Sequence, residues 1–183
     1  MMEYRLGSRH SGQGSQINRA HSPFVALVVP WASIVLASLF PLLPLIASMP
    51  ISPPMGFMML LAWRLVRPGL LPIWAGFPLG LIDDLFSGQP FGCAILVWSL
   101  TLIALDVIET RFPWRGFLQD WLVASAAIAS YILVCAFIAG SWNIGLPTIL
   151  APQLVLSILF YPLIGRLVAF LDRLRLRRFR TIG

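Results

Sequence analysis

Hydrophobic positions in this chain fall into six long runs, separated by short polar connections. The runs cover 24–47, 55–66, 69–86, 91–108, 117–139 and 146–171. About 20 apolar residues in a helix cross a hydrocarbon core of roughly 30 Å. The pattern therefore predicts an all-α polytopic membrane protein, with six transmembrane helices in one bundle. The run 55–66 is the weak one. At about 1.5 Å per residue it falls short of the bilayer core, which predicts a short, tilted or partly re-entrant helix. Arg64 near its end is expected to snorkel toward an interface. Prolines interrupt the first run (Pro30, Pro41, Pro44), the third (Pro72, Pro78) and the sixth (Pro147, Pro152, Pro162), predicting kinks or early helix ends. The fifth run is dense in Ala and Ser, which suits close helix packing in lipid.

Residues 1–22 are polar, rich in Gly, Ser and Gln, and without periodicity, so a disordered basic tail is expected there. His10 and His21 lie within it with no Cys, Asp or Glu at ligand spacing. The run 24–47 is too long and proline-broken for a cleaved signal peptide, and no clear Ala-x-Ala site follows. It reads as an uncleaved first span. The organisation is thus a tail at 1–22, a membrane domain at 23–171 and a basic tail at 172–183.

Composition supports lipid as the solvent. The chain is 58% hydrophobic and 11% charged, with a mean hydropathy of +0.86. Soluble domains carry roughly 25% charged residues. The net charge of +6 does not point to nucleic acid, because no basic stripe with interleaved aromatics is present. The basic residues instead separate the runs. Arg5, Arg9 and Arg19 precede the first, Arg64 and Arg67 lie between the second and third, and Arg111 and Arg115 between the fourth and fifth. Arg166, Arg173, Arg175, Arg177, Arg178 and Arg180 accompany the end of the sixth. The connections at 48–54, 87–90 and 140–146 contain neither Arg nor Lys. With six spans every arginine falls on one side, which the positive-inside rule assigns to the cytoplasm. Both termini are then cytoplasmic, and the 87–90 turn faces outward.

One stretch carries a pattern that lipid solvation does not require. Gly76, Gly80 and Asp84 are four residues apart and share a helix face, and Gly88 and Gly92 continue the count. Small-xxx-small spacing lets another backbone approach closely, so Gly76, Phe77, Gly80, Asp84, Gly88 and Gly92 are the candidate partner or packing seam. Neighbouring helical residues point about 100° apart. Asp84 therefore faces the seam, and Asp83 turns toward the interface or a second neighbour. The pair could share a proton, bind a cation or hydrogen-bond a partner's backbone. It could also sit at headgroup level, where charge costs little. Gly88 is expected to supply a turn with positive φ before Pro90 starts the next helix.

Asp106 and Glu109 lie near Arg111, and an ion pair with a loop arginine is the expected role of Asp106. Cys93 and Cys135 are single, distant and set in apolar runs, and they read as small buried hydrophobes. Trp74, Trp114, Trp121 and Trp142 are expected as interfacial anchors, and Trp31, Trp63 and Trp98 as packing groups. The arginines Arg173, Arg175, Arg177, Arg178 and Arg180 form an anionic-lipid anchor or a docking site for a cytoplasmic protein. No phosphate loop, His-Glu-x-x-His or Gly-x-Ser-x-Gly occurs, so neither an enzyme nor a cofactor is expected.

The stretch Gly76-Phe77-x-x-Gly80-x-x-x-Asp84-Leu85-x-Ser87-Gly88-x-x-x-Gly92 resembles the MreD family of bacterial rod-shape-determining membrane proteins. Asp83 is an addition outside that pattern. The resemblance covers 23–180 in architecture and specific residues only in this stretch. It implies a non-enzymatic inner-membrane component of the elongation complex that organises lateral peptidoglycan synthesis. The implied partners are a single-span MreC-like protein, actin-like MreB, a RodA-type glycosyltransferase and its penicillin-binding transpeptidase. It also implies a helical arrangement similar to the substrate-binding subunits of energy-coupling-factor transporters. That likeness supplies the alternative reading, a small-ligand-binding membrane subunit of a transporter.

Overall fold

Six α-helices form among the described residues: α1 Pro23–Ser38, α2 Met55–Val66, α3 Gly76–Phe86, α4 Cys93–Arg111, α5 Phe117–Ile138 and α6 Leu146–Arg175. The computed structural model describes residues 23–42, 52–111, 116–140 and 146–175, and no strand occurs among them. The tail at 1–22, Trp114, Trp142, Arg177, Arg178 and Arg180 lie outside the described residues. The helices α4, α5 and the stretch Leu150–Arg175 of α6 are long and apolar enough to cross a membrane, by length and composition. Large apolar side chains on these three point outward, among them Leu96, Ile103, Leu122, Phe137, Leu159 and Phe170.

The shortest apolar run has the most buried position. Every residue of α2 from Gly56 to Leu65 is buried, and α2 packs against α1, α5 and α6. A helix that is apolar on all sides belongs in an interior. Its length is therefore set by its neighbours and not by the thickness of a bilayer. Phe57 of α2 stacks on Tyr131 of α5 with ring centroids 4.6 Å apart and meets Trp98 of α4 at 5.9 Å.

The expected continuous span over 69–86 is broken. Gly69 adopts φ +80, Pro72 is extended, and a 3-10 turn at Ile73–Ala75 precedes α3. Proline disfavours helical backbone in the residue before it, so a regular helix begins only at Gly76. The prolines of α6 act differently. Pro162 has no N–H for the carbonyl of Ile158, and Trp121 Nε1 of α5 donates to that carbonyl at 3.3 Å. A helix defect thus becomes an α5–α6 contact.

Arg64 does not snorkel. It is 3% exposed, and its guanidinium pairs with Asp106 at 2.8 Å and Glu109 at 2.9 Å, both on α4. Asp106 thus pairs with a helix arginine and not with a loop arginine. The cause is the central placement of α2, which points Arg64 at the one acidic strip of α4. At the same end of the bundle, Asp172 of α6 accepts Arg67 at 2.9 Å and Arg175 at 3.0 Å, and the Arg175 guanidinium lies over the Trp63 ring. Replacing Arg64 by leucine leaves two carboxylates without their shared cation. The expected loss is about 2–4 kcal/mol, with Arg64→Lys recovering part of it, because a point charge cannot reach both acids as a planar fork does. Thermal unfolding in detergent checks this. An unchanged midpoint for Arg64→Leu contradicts it.

The cysteines also differ from expectation. Cys93 and Cys135 are buried but form a disulfide, with Cα atoms 5.9 Å apart. Since α4 and α5 pack as neighbours, the start of one meets the far part of the other.

Candidate functional site

The stretch 76–92 folds as a helix, a glycine turn and the start of α4. Its four-residue spacing becomes one contact strip between α3 and α4, the most extensive helix pair among the described residues. At Gly80 an added Cβ would lie 2.8 Å from the Ala94 carbonyl oxygen and from Ile95 N and Cα. At Gly76 it would lie 2.8 Å from Ser99 N and 2.9 Å from Trp98 C. Real Cβ atoms do not approach backbone so closely, so only glycine permits this separation.

Asp84 completes the strip. The helix α4 opens with N–H groups that have no intrahelical partner, and the Asp84 carboxylate accepts three N–H bonds there. Gly92 N–H donates at 3.0 Å, Ala94 N–H at 2.8 Å and Ile95 N–H at 3.1 Å. An anion at a helix N-terminus also faces the positive end of the helix dipole. Asp84 is 5% exposed, and these bonds occupy both of its oxygens. A carboxylate held in this way serves as an N-terminal cap supplied by the preceding helix.

Gly92 and Gly88 shape the turn between the two helices. They adopt φ +93 and +69, a region that L side chains rarely enter. The next helix begins at Cys93 and not at Pro90, whose carbonyl accepts the Cys93 N–H at 3.1 Å. Phe77 is not brought into the strip. It is 58% exposed and points out of the bundle.

Asp83 lies on the other side of α3. It is buried among other helices, and its carboxylate accepts the Tyr131 hydroxyl at 3.3 Å. The same hydroxyl reaches Gln89 Oε1 at 3.2 Å. These residues, with Ser52, Gly56 and Ser87, line an open cavity of about 70 Å³. Tyr131, Gln89 and Ser38, which lies against Asp83, carry no motif. A faint signal for Tyr131 was present, since Ala124, Ile128, Tyr131 and Cys135 share the inward face of α5.

The remaining candidates divide between the two ends of the bundle. Trp63 and Trp98 are fully buried, Trp31 packs on the exposed Trp74 with ring centroids 5.6 Å apart, and Trp121 is half-buried. Arg173 is exposed near the end of α6, whereas Arg175 folds back onto Asp172 and Trp63. Among the described residues, no group of three His, Cys, Asp or Glu could hold a metal ion.

The family model for the rod shape-determining protein MreD matches residues 19–171, most of the chain. No curated protein and no solved structure matches.

Proposed function

The chain belongs to the MreD family of rod shape-determining proteins, and from that premise we propose that it is a non-enzymatic, multi-pass component of the bacterial inner membrane. It binds partner membrane proteins of the elongation complex and so organises lateral peptidoglycan synthesis. Family membership carries this reading. The single-span MreC-like protein is the first partner, with MreB, the RodA-type glycosyltransferase and the penicillin-binding transpeptidase as further members of the assembly.

The proposed topology has six passes and both termini in the cytoplasm. In support, Arg64, Arg67, Arg173 and Arg175 gather at one end of the bundle, and the 87–92 turn lies at the other. The Cys93–Cys135 disulfide adjoins that turn, and disulfides persist in oxidising compartments outside the cytoplasm. The exposed Arg173 remains proposed as a contact for anionic lipid or a cytoplasmic partner, together with Arg177, Arg178 and Arg180.

The seam Gly76, Gly80, Asp84, Gly88 and Gly92 is proposed to act within the bundle. It holds α3 and α4 as one hairpin, so that the opposite faces keep the shape that partners meet. Both Asp84 oxygens are tied to the α4 backbone, which weighs against catalysis. The cavity beside Asp83, about 70 Å³, is far below the roughly 300–1,000 Å³ of small-molecule sites. At that size this cavity does not hold a whole small ligand.

Mild-detergent purification of the tagged protein tests the reading. Co-purification of an MreC-like protein and wall-synthesis enzymes is the expected result. An ATPase module or a bound vitamin in their place supports the transporter subunit and contradicts the proposal.

A further inference from the structure

The end of the bundle bearing the 87–92 turn holds a buried carboxylate with no counter-charge among the described residues. Asp83 is 6% exposed and forms part of the wall of the open cavity. Its polar neighbours are not fully paired. The Tyr131 hydroxyl stands within reach of both Asp83 Oδ2 and Gln89 Oε1, and one hydroxyl proton serves one acceptor at a time. Ser52 Oγ and Ser87 Oγ, in residues lining the same cavity, have no hydrogen-bond partner. Ser38 Oγ, in a residue 1% exposed, lies beside the carboxylate. At Gly56 an added Cβ would lie 2.8 Å from Asp83 Oδ1, so the absence of a side chain there leaves the carboxylate its room.

Among the described residues no cation lines this cavity. All its Lys+Arg residues are arginines, and the connections 43–51, 87–92 and 141–145 contain no Arg, Lys or His. Arg64, Arg67 and Arg175 are tied to acids at the opposite end. A metal ion is a poor match, because hard cations such as Ca²⁺ take about 6–8 oxygen ligands with several carboxylates among them. An ammonium, with three N–H donors, matches one carboxylate, a carboxamide oxygen and a hydroxyl. A water-sized group needs at least about 10–15 Å³, so 70 Å³ admits the end of a side chain and not a whole small molecule.

We infer that this cavity receives the charged end of a basic side chain, an ammonium or guanidinium, presented by a partner membrane protein. The inference rests on the partner-binding reading above. A lipid amine is disfavoured because its phosphate would come to an end of the bundle that has two aspartates and, among the described residues, no basic residue to receive it. Asp83 supplies the charge, Gln89 and the serines supply acceptors, and Tyr131 orients the carboxylate from behind. The two aspartates thus divide their roles, with Asp84 closed within the hairpin and Asp83 open to a partner.

The test uses the full-length protein in non-ionic detergent with n-butylammonium as the side-chain probe. Its thermal midpoint should rise by about 2–4 °C at saturating probe. Sodium chloride at equal ionic strength should give no comparable rise. Asp83→Asn should abolish the amine effect. Gln89→Ala, in the turn and outside the packed interior, should at least halve it, so the test survives if Asp83→Asn does not fold. The inference is overturned if the wild-type protein shows no amine-specific rise, if sodium reproduces it, or if Gln89→Ala keeps all of it. A larger rise with phosphoethanolamine than with butylammonium also overturns it, in favour of a lipid headgroup. Because only the purified chain is used, failure removes the cavity site and leaves partner binding to the co-purification test.

Discussion

Asp84→Ala is expected to cost the folded chain about 3–4 kcal/mol, the largest loss from a single polar side chain here. The substitution removes one carboxylate but leaves three backbone N–H groups, those of Gly92, Ala94 and Ile95, without an acceptor. A hydrogen bond to a charged group contributes about 1.5–3 kcal/mol. Bonds sharing one carboxylate do not add independently, so the total stays below three times that value. The first turn of α4 cannot recruit water freely, because Ala94 is buried against α3. Asp84→Asn should recover less than half of the loss, since its amide offers one acceptor oxygen and turns two N–H groups toward donors. Thermal unfolding of the purified variants in detergent checks both. An Asp84→Ala protein melting within about 1 °C of wild type is incompatible with a loss of this size.

Gly80→Ala is expected to cost about 2–3 kcal/mol, and Gly80→Leu more. The reason is steric and has no soft solution. The added Cβ meets the carbonyl of Ala94 and the backbone of Ile95, neither of which can rotate away as a side chain can. The helix α3 must move off α4, and that movement also stretches the three Asp84 bonds. Gly88 provides the contrast within the same pattern. Nothing lies within 4 Å of a Cβ there, and only its φ of +69 resists substitution. Gly88→Ala should therefore cost about 1–2 kcal/mol, the left-handed backbone penalty alone. Limited proteolysis and thermal unfolding of the two alanine variants should rank Gly80 above Gly88. The reverse order would show that the turn, and not the helix contact, sets the spacing.

The sequence carried the architecture where a physical rule reads one residue at a time. Run lengths located six helices, and the four-residue count put Gly76, Gly80 and Asp84 on one face of α3. The missing part was long-range. Nothing local tells Arg64 that its helix is central, because a lipid-facing helix and a buried one are equally apolar. Its partners Asp106 and Glu109 lie more than forty residues away, and they become partners only once the Arg64 side chain reaches across to α4. The disulfide was more accessible than the reading allowed. Cys93 and Cys135 stand equally far on either side of position 114, as residues facing each other across an α4–α5 hairpin do. Close cysteine spacing, the usual signal of a pair, does not reveal that symmetry. The break at 69–75 was signalled by Gly69 and Pro72, but apolar composition outweighed those punctuation marks.

Phe77 shows the limit of motif reasoning. It belongs to the family-like pattern, yet it lies one residue beyond Gly76 and so points about 100° off the seam, where it is exposed. Asp83 shows the opposite case. It lies outside the pattern, and the fold gives it a buried position with Tyr131 that no spacing rule announced.

Close contact of α3 with α4 is expected to keep this shape-determining membrane protein in its working form. Cell width measured with Gly80→Leu as the sole copy, at matched membrane level, tests it most directly. Wild-type protein should restore rods in depleted cells, while Gly80→Leu, normally inserted, should leave them wide and rounded. Rods of normal width with Gly80→Leu present at wild-type level would contradict it.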